Sequence, residues 1–375
     1  RGSWSRVSSG TLNDNEYTYG FLQAYDKGTS WNNTPALSYG SAQINPDIKP
    51  QTSDSWEAGL ELKLFNGRLG IDATYYQSRD YNNIVSIPVS ETSGYTTRLE
   101  NGNEYKRKGF ELMINANPVK NKNFRWDINA NLSNYRRYLT DIYGGAEQLN
   151  KIRVGERVDR IFDWKYETDG AGNVVYNSNG FPRWDNFTRY VGDANPDLVY
   201  GLENSFNYKN FSFKFLVDGR IGGLMYSTTN QKMWWGGTHP GTVNQYRDDA
   251  NEGISSWIGQ GVVVTAGEIT YDEDGNVLSD TRKFGTNTKG VNYIDYMIST
   301  SNAIDNNYHY YSQSFLKLRE VSLTWQLPTK WLGNKIQSAS VSAVGRNLFL
   351  VSELDNVDPD PGSDNLQTPS TRNIG

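Results

Sequence analysis

The chain has 375 residues, and its 37 basic and 42 acidic side chains leave a formal net charge of −5, which argues against a protein that binds nucleic acid or coats an anionic membrane. A mean hydropathy of −0.70, without a run of the ~18 apolar residues that a spanning helix requires, excludes an α-helical membrane protein. The 25 Tyr, 14 Phe and 11 Trp residues exclude a disordered chain, because disordered segments contain few aromatic residues.

Alternation of apolar and polar residues with a period of two is the dominant pattern, and it first becomes clear at residues 56–64. Asn66-Gly67 follows this run, and the dipeptide predicts a hairpin turn because both residues accept a positive φ. Residues 69–76 then alternate in the same way. Together the two runs predict a hairpin with one apolar face and one polar face.

The same alternation recurs along the chain at 110–117, 124–133, 198–208, 211–220, 321–327 and 339–343, and more weakly near 1–9, 17–25 and 153–167. We therefore predict an all-β chain of roughly eleven antiparallel strands, without a convincing amphipathic helix. Short turns alternate with long polar connections, of which the longest spans about 228–311.

Two environments produce such strands. In a water-soluble sandwich the apolar face meets a core, whereas in an outer-membrane barrel it meets lipid and the polar face lines the lumen. The barrel is favoured by the length of the runs, by the alternation of short and long connections, and by Tyr and Trp near strand ends. An open edge is forbidden in lipid, so a barrel would need strands outside this sequence. The chain begins at Arg1 and stops at Gly375 within an extended run, so we expect a fragment of a longer protein.

Five phrases of the sequence occur in the order in which one known family has them. They are Asn45-Pro46-Asp47-Ile48-Lys49-Pro50 with Ser55-Trp56-Glu57-Ala58-Gly59-Leu60, Lys108-Gly109-Phe110-Glu111-Leu112, Gly192-Asp193-Ala194-Asn195-Pro196-Asp197 with Tyr200-Gly201, Phe315-Leu316-Lys317-Leu318-Arg319, and Gly345-Arg346-Asn347-Leu348-Phe349. The chain resembles the C-terminal half of the SusC/RagA family of TonB-dependent outer-membrane transporters. It departs from the family at Gln51, where glutamate is common.

The resemblance implies that residues 1–375 form the C-terminal part of a transmembrane barrel of roughly 22 antiparallel strands, filled by an N-terminal plug. The plug, the first strands and the final strand would lie outside this chain. The resemblance further implies active import of oligosaccharides or peptides across the outer membrane of a Bacteroidetes-type Gram-negative bacterium, with no enzymatic activity and no cofactor. The implied partners are a SusD-like surface lipoprotein lid, the TonB–ExbB–ExbD complex acting through the N-terminal part, the lipid bilayer with its lipopolysaccharide, and the cargo.

The connection 228–311 is the predicted extracellular loop that contacts the cargo or the lid. Aromatic rings can stack on the apolar face of a sugar while their polar tips bind hydroxyl groups. The candidate substrate-binding residues are Trp164, Trp184, Trp234, Trp235, Trp257, Tyr293 and Tyr296, the first two of which lie near a second loop at 168–190. The alternative is that such rings pack the loop on itself or anchor it at the membrane interface.

No metal site or catalytic site is predicted. Without cysteine, and with only His239 and His309, the chain cannot form thiolate zinc sites or disulfides. The acidic stretches 169–173 and 272–276 are predicted hairpin tips, because Asp and Gly favour tight turns. The second resembles an EF-hand calcium loop only superficially, because Val277 and Lys283 stand where that loop needs Gly and Glu. The acidic segment 355–364 is predicted to be a solvated loop, with calcium binding as the alternative.

Charged residues on the polar faces are expected to pair with a plug and with water. Two other classes of protein stay open. A passive porin or an adhesin would be a barrel without a plug, and a soluble glycan-binding protein or glycosidase would be an aromatic-rich β-protein. The glycosidase would need a pair of catalytic carboxylates, and no spacing in this sequence identifies such a pair.

Overall fold

The computed structural model describes residues 1–9, 25–303, 307–333, 336–354, 357–364 and 371–375. The weak strand predicted near 17–25 lies outside the described residues except for its last position, and so does Asp355 of the acidic segment. The chain divides into two compact units, one formed by 1–159 and 200–209 and the other by 160–199 and 210–375.

The first strands in chain order are β1 (Gly2–Ser9), β2 (Tyr25–Lys27), β3 (Leu37–Tyr39), β4 (Ala42–Ile44), β5 (Gln51–Leu64), β6 (Leu69–Tyr81), β7 (Asn83–Pro88), β8 (Thr97–Gly102), β9 (Glu104–Lys120), β10 (Phe124–Asp141), β11 (Gln148–Leu149), β12 (Ile152–Arg153) and β13 (Arg160–Tyr166). The later strands are β14 (Val175–Tyr176), β15 (Trp184–Asp193), β16 (Leu198–Tyr208), β17 (Phe211–Ile221), β18 (Leu224–Tyr226), β19 (Val262–Ala266), β20 (Ile269–Tyr271), β21 (Val277–Asp280), β22 (Lys283–Thr286), β23 (Tyr310–Ser312), β24 (Phe315–Gln326), β25 (Ser340–Ser352) and β26 (Asn373–Ile374). The helices are α1 (Thr228–Trp235), α2 (Gln245–Asn251) and α3 (Tyr293–Thr300).

The prediction of a mostly β chain is confirmed. The described residues contain 26 strands rather than roughly eleven, because short pairs within the connections add to the long strands that the alternation predicts. Among the helices of the described residues, none has both the length and the apolar character needed to cross a bilayer.

The long strands of the first unit pair in the order β1-β5-β6-β9-β10-β16, and the pairs from β1 to β10 are antiparallel. The predicted hairpin is confirmed as β5 and β6, and its turn takes Asn66 and Gly67 to φ values of 54° and 80°. The register places Leu62 opposite Ile71 and Ile71 opposite Ile114, so the apolar sides of successive strands coincide. In the second unit β17, β24, β25 and β26 pair in that order, again antiparallel.

The apolar rows of these long strands lie at the surface. Leu60 is 56% exposed in the first unit, and Leu323 is 50% exposed in the second. The opposite face carries paired charges, with 2.8 Å between Arg1 Nη2 and Asp72 Oδ1. A water-soluble sandwich would bury the apolar side chains of its strands, whereas the apolar rows of these strands are exposed.

A cluster of buried apolar side chains lies in the second unit, within the long connections, and it is built partly from helices. This corrects the prediction that the chain lacks an amphipathic helix. Helix α3 buries Tyr293, Tyr296, Met297 and Thr300, which follow the i, i+3, i+4, i+7 spacing of one helical face. Asn292 caps the helix by accepting hydrogen bonds from the backbone N–H groups of residues 294 and 295.

The prediction of a solvated acidic loop is wrong for the described residues 357–364. Lys317 Nζ lies 2.6 Å from Asp358 Oδ2, and Arg319 makes two contacts of 2.5 and 2.6 Å with the carboxylate of Asp360. Strand β24 places both cations on its polar side, where the Lys317 side chain is only 3% exposed. A buried ammonium group requires a counter-charge, and the acidic segment supplies it.

The far end of the acidic segment is bound as well. Asp364 is 7% exposed, and its carboxylate accepts hydrogen bonds from the hydroxyl groups of Ser227 and Thr229, the latter at 2.6 Å. Ser227 is the N-cap of α1, so the acidic segment is tied both to β24 and to the start of this helix.

Both predicted hairpin tips are confirmed. Asp272 Oδ1 accepts hydrogen bonds from the backbone N–H groups of Asp274 and Asn276, at 3.0 and 2.8 Å. Asp169 Oδ1 binds the N–H groups of residues 171 and 173 in the same way, at 2.9 and 2.8 Å. These carboxylates organise the backbone of the turn, as aspartate does in such tips.

Candidate functional site

Residues 168–190 and 228–311, here called the loop layer, fold around one aromatic core. The core consists of Tyr176, Ala250, Val291, Tyr293, Tyr296 and Met297, with partly buried neighbours that include Phe181, Trp234 and Trp257. Strands β14 and β19 pair in parallel, with Val175 opposite Val262, and so join the two connections. The loop layer is therefore one folded layer within the second unit.

Four of the candidate substrate-binding residues belong to this core or pack against it. Tyr293 and Tyr296 are 4% and 3% exposed, and the Trp257 ring lies 5.3 and 5.5 Å from their ring centroids. Trp234 stacks on the His239 ring at 4.1 Å. The structure thus brings these residues together, and their rings are covered largely by one another.

The Tyr296 hydroxyl is buried with the ring. It lies 3.2 Å from the Tyr176 hydroxyl. Burial raises the pKa of Tyr296 above its usual range, and the neighbouring Tyr176 hydroxyl acts in the same direction. The hydroxyl therefore stays neutral and serves as a hydrogen-bonding group inside the core.

The other three candidates are about half exposed. Trp164, Trp184 and Trp235 are 51%, 50% and 48% exposed. Trp184 follows the tip of the first connection and contacts the Tyr166 ring at 4.2 Å, whereas Trp235 ends helix α1. These rings keep surface that a ligand can reach.

A cavity of about 240 Å³ lies beside Trp235, between the three short helices. Its walls include Trp235, Thr242, Arg247, Tyr293, Met297 and Ile298. Arg247 Nη1 donates hydrogen bonds to the Gly237 carbonyl at 2.9 Å and to Thr242 Oγ1 at 3.2 Å, which fixes the guanidinium. Arg247 could not be identified from the sequence, because one arginine in a polar stretch carries no signal of a pocket.

A charged cluster joins the two connections of the loop layer. The Glu167 carboxylate, just before the first connection, pairs with Arg183 at 3.1 Å and also with Arg282, whose side chain is 3% exposed. Arg282 also binds Asp280 at 2.7 Å, and its hydrogen bond lowers the pKa of Asp280 to about 2. The cluster holds the link between β21 and β22 against the first connection.

The end of the long connection is anchored by tyrosine hydroxyl groups. Tyr310 donates a hydrogen bond to Asp163 Oδ2 at 2.7 Å, and Tyr308 accepts one from the backbone N–H of Tyr166 at 3.0 Å. Between them His309 is 2% exposed. Burial lowers the pKa of His309 to about 4, although a backbone hydrogen bond with Ser301 acts in the opposite direction.

The acidic side chains described above form ion pairs or hydrogen bonds with neighbouring side chains, as Glu167 and Asp280 do with Arg282. Within the described ranges, no group of three or more His, Asp or Glu side chains is arranged to hold a metal ion.

A protein-family model described as TonB dependent receptor-like, beta-barrel matches residues 1–199. The chain is 23% identical over 348 residues to TonB-dependent receptor P26 of Formosa agariphila, covering 84% of this chain and 32% of that protein. It is also 23% identical over 343 residues to TonB-dependent receptor SusC of Bacteroides thetaiotaomicron, covering 84% of this chain and 30% of that protein. The chain thus spans about a third of the length of these relatives.

Among solved structures, the chain is similar to the RagAB peptide importer in its open-open state. The TM-score is 0.66 at 17% identity, and the match covers 100% of this chain and 39% of that one. A second structure of the RagAB peptide transporter matches with a TM-score of 0.63 at 18% identity, covering 100% and 40%. At this level of identity the similarity establishes a shared fold.

The difference in burial between the candidate aromatic residues leads to a prediction about stability. Tyr296→Ala is expected to destabilise the loop layer by ~3–5 kcal/mol, because it leaves a cavity in the core. Trp235→Ala, at the half-exposed rim, is expected to destabilise it by about 1 kcal/mol or less. Hydrogen exchange of the loop-layer backbone measures both effects, and equal loss of protection in the two variants would contradict this assignment.

Burial of His309 leads to a prediction about pH. The unfolded residue has a pKa of about 6.5, so above this pH neither state is protonated and the stability is constant. As the pH falls from about 6.5 to 4, His309 becomes protonated in the opened state but stays neutral in the folded state. The free energy of unfolding of the loop layer therefore decreases by up to about 3 kcal/mol.

Hydrogen exchange of residues 301–311, corrected for the intrinsic exchange rate, is the measurement. His309→Gln is expected to remove most of this pH dependence. His239→Gln is expected to retain the larger part of it, although burial lowers the pKa of His239 as well. A pH profile that is unchanged in His309→Gln would show that another group is responsible.

Proposed function

Because the chain belongs to the TonB-dependent receptor-like β-barrel family, we propose that it forms barrel wall and outer loops of a transporter that imports oligosaccharides or peptides across a Gram-negative outer membrane. In this proposal the barrel has about 22 strands, as expected for a plugged transporter, and the bacterium is of the Bacteroidetes type. The similarity to SusC and to RagAB supports this choice within the family.

The observation that carries the proposal is the exposure of the apolar rows on the long strands. Side chains such as Leu60 and Leu323 are half exposed, while Arg1 and Asp72 pair on the opposite face. Lipid is the solvent that suits the first face, and a hydrated lumen suits the second. A soluble glycan-binding protein or glycosidase would leave the apolar rows in water.

The loop layer supports the assignment of 228–311 as an extracellular loop. We propose that the half-exposed rings of Trp164, Trp184 and Trp235 contact the cargo. The buried rings of Trp234, Trp257, Tyr293 and Tyr296 then act indirectly, because they fix the layer that carries the exposed rings. Rigid support of this kind lowers the entropy lost when a ligand binds.

The proposal includes partners outside this chain. A plugged lumen gives cargo no free path, so import requires energy from the TonB–ExbB–ExbD complex. A SusD-like surface lipoprotein would close over the outer loops, and lipid with lipopolysaccharide would surround the wall. The names of the relatives, which are TonB-dependent receptors, support the first of these partners.

A charge placed on the apolar row tests the orientation of the wall. Leu60→Lys is expected to reduce the folded protein in the outer membrane, because a lysine facing lipid costs ~2–4 kcal/mol near the midplane. Asn129→Lys is the matched control, since Asn129 lies on the opposite face and already donates a hydrogen bond to Glu203. Heat-modifiable mobility of the membrane fraction measures folding, and equal folding of the two variants would refute the orientation.

Uptake of labelled cargo tests the transport function. Cells with the full-length protein are expected to accumulate a fluorescent maltooligosaccharide or a fluorescent decapeptide, and an ionophore that collapses the proton gradient is expected to abolish accumulation. Uptake that survives the ionophore would indicate a passive porin, and surface binding without uptake would indicate an adhesin. Trp184→Ala is expected to lower uptake severalfold, whereas Trp331→Ala, 63% exposed and outside the loop layer, serves as the control.

A further inference from the structure

The cavity beside Trp235 combines an apolar lining with a single cation. Trp235, Tyr293, Ile294, Met297 and Ile298 supply its apolar walls, and Arg247 supplies the charge. At about 240 Å³ it is smaller than the ~300–1,000 Å³ typical of sites for drug-sized ligands. The cavity therefore has room for one residue of a ligand rather than for several.

The guanidinium of Arg247 is held in place and keeps donors available. Its Nη1 atom binds the Gly237 carbonyl and Thr242 Oγ1, so the side chain is already ordered before any ligand arrives. Among the described residues no carboxylate pairs with Arg247, and the rest of its planar fork makes no hydrogen bond with them. A free carboxylate is the group that a guanidinium binds best, through two parallel hydrogen bonds.

The remaining polar groups argue against a sugar ring in this cavity. The Thr242 hydroxyl is buried and donates to the carbonyl groups of Gly237 and His239. Asn251 and Arg247 could bind hydroxyl groups on one side of a sugar ring, but its other hydroxyl groups would meet Met297 and Ile298. A buried hydroxyl group without a hydrogen-bonding partner is unfavourable. An aliphatic side chain next to a carboxylate satisfies both parts of the lining.

We propose that this cavity binds the C-terminal residue of a cargo peptide, with an apolar side chain against Trp235 and Met297 and the terminal carboxylate on Arg247. The proposal rests on the proposed function, because it names the cargo group that the extracellular loops would capture. It also gives Arg247 a binding role and distinguishes it from Arg282, whose charge is used within the structure.

Binding to the purified full-length protein tests the proposal without transport. The probes are an acetylated, fluorescent hexapeptide ending in leucine carboxylate, the same peptide as its C-terminal amide, and one ending in serine carboxylate. Fluorescence anisotropy is expected to show that the amide binds at least about tenfold more weakly than the leucine carboxylate, because a hydrogen-bonded charge pair is lost. The serine peptide is expected to bind severalfold more weakly than the leucine peptide.

Variants assign the effect to the cavity. Arg247→Gln is expected to weaken binding of the leucine carboxylate peptide about tenfold and to leave binding of the amide unchanged. The loss from the substitution and the loss from the amide are therefore not additive. Arg247→Lys is expected to recover part of the affinity. Arg153→Gln changes an exposed arginine of the first unit and serves as the control for a general loss of charge.

Three outcomes overturn the proposal: equal binding of the acid and the amide, an Arg247→Gln loss that is the same for both peptides, or tighter binding of a glucuronate-ended disaccharide. The peptide comparison uses unchanged protein, so it stays informative if the Arg247 variants fold poorly. Energy-dependent uptake of any cargo without this peptide preference would leave the proposed transport function intact and refute only the cavity assignment.

Discussion

The uncovered apolar side of the long strands is the constraint on which the rest of this structure depends. A sheet whose leucine and phenylalanine side chains are half exposed is stable only if another apolar phase covers them. In the transporter that we propose, this phase is lipid. The paired charges on the opposite face then belong to a hydrated interior, and the structured connections belong to one end of the wall.

The loop layer stabilises itself by a different means, with a core of its own. This core contains six buried residues, and three short helices and the buried pair of Glu167 with Arg282 surround it. The polarity of this part of the sequence alone would predict a loop. The core explains how rings such as Trp235 and Trp184 can be half exposed and still well placed. Binding surfaces on a rigid support lose less entropy than those on mobile loops.

Local pattern predicted the parts of the fold that depend on neighbours in sequence. The hairpin β5–β6, its Asn66-Gly67 turn and the two aspartate tips follow from alternation and turn chemistry. Helix α3 carries its own signal in the spacing of Tyr293, Tyr296 and Met297, but two turns of helix within a polar stretch are easily overlooked.

Features that depend on distant residues could not be predicted in this way. The sequence of the acidic segment predicts a solvated loop, but in the structure its carboxylates pair with Lys317 and Arg319 of β24. The cavity beside Trp235 is assembled from three helices, and no short window of the sequence contains it. Composition also cannot distinguish a ring that fills a core from one that contacts a ligand, because both require the same residue types.

The bonds of Asp364 to Ser227 and Thr229 have a consequence for biogenesis. Asp364 and Thr229 are separated by 135 positions, so helix α1 receives this support only after the chain as far as Asp364 has been made and delivered. We expect a contact between residues so far apart in sequence to form late in folding, because the chain between them must close first. Until then the start of helix α1 lacks this support, so we expect it to be a place where chaperones and proteases recognise incomplete chains.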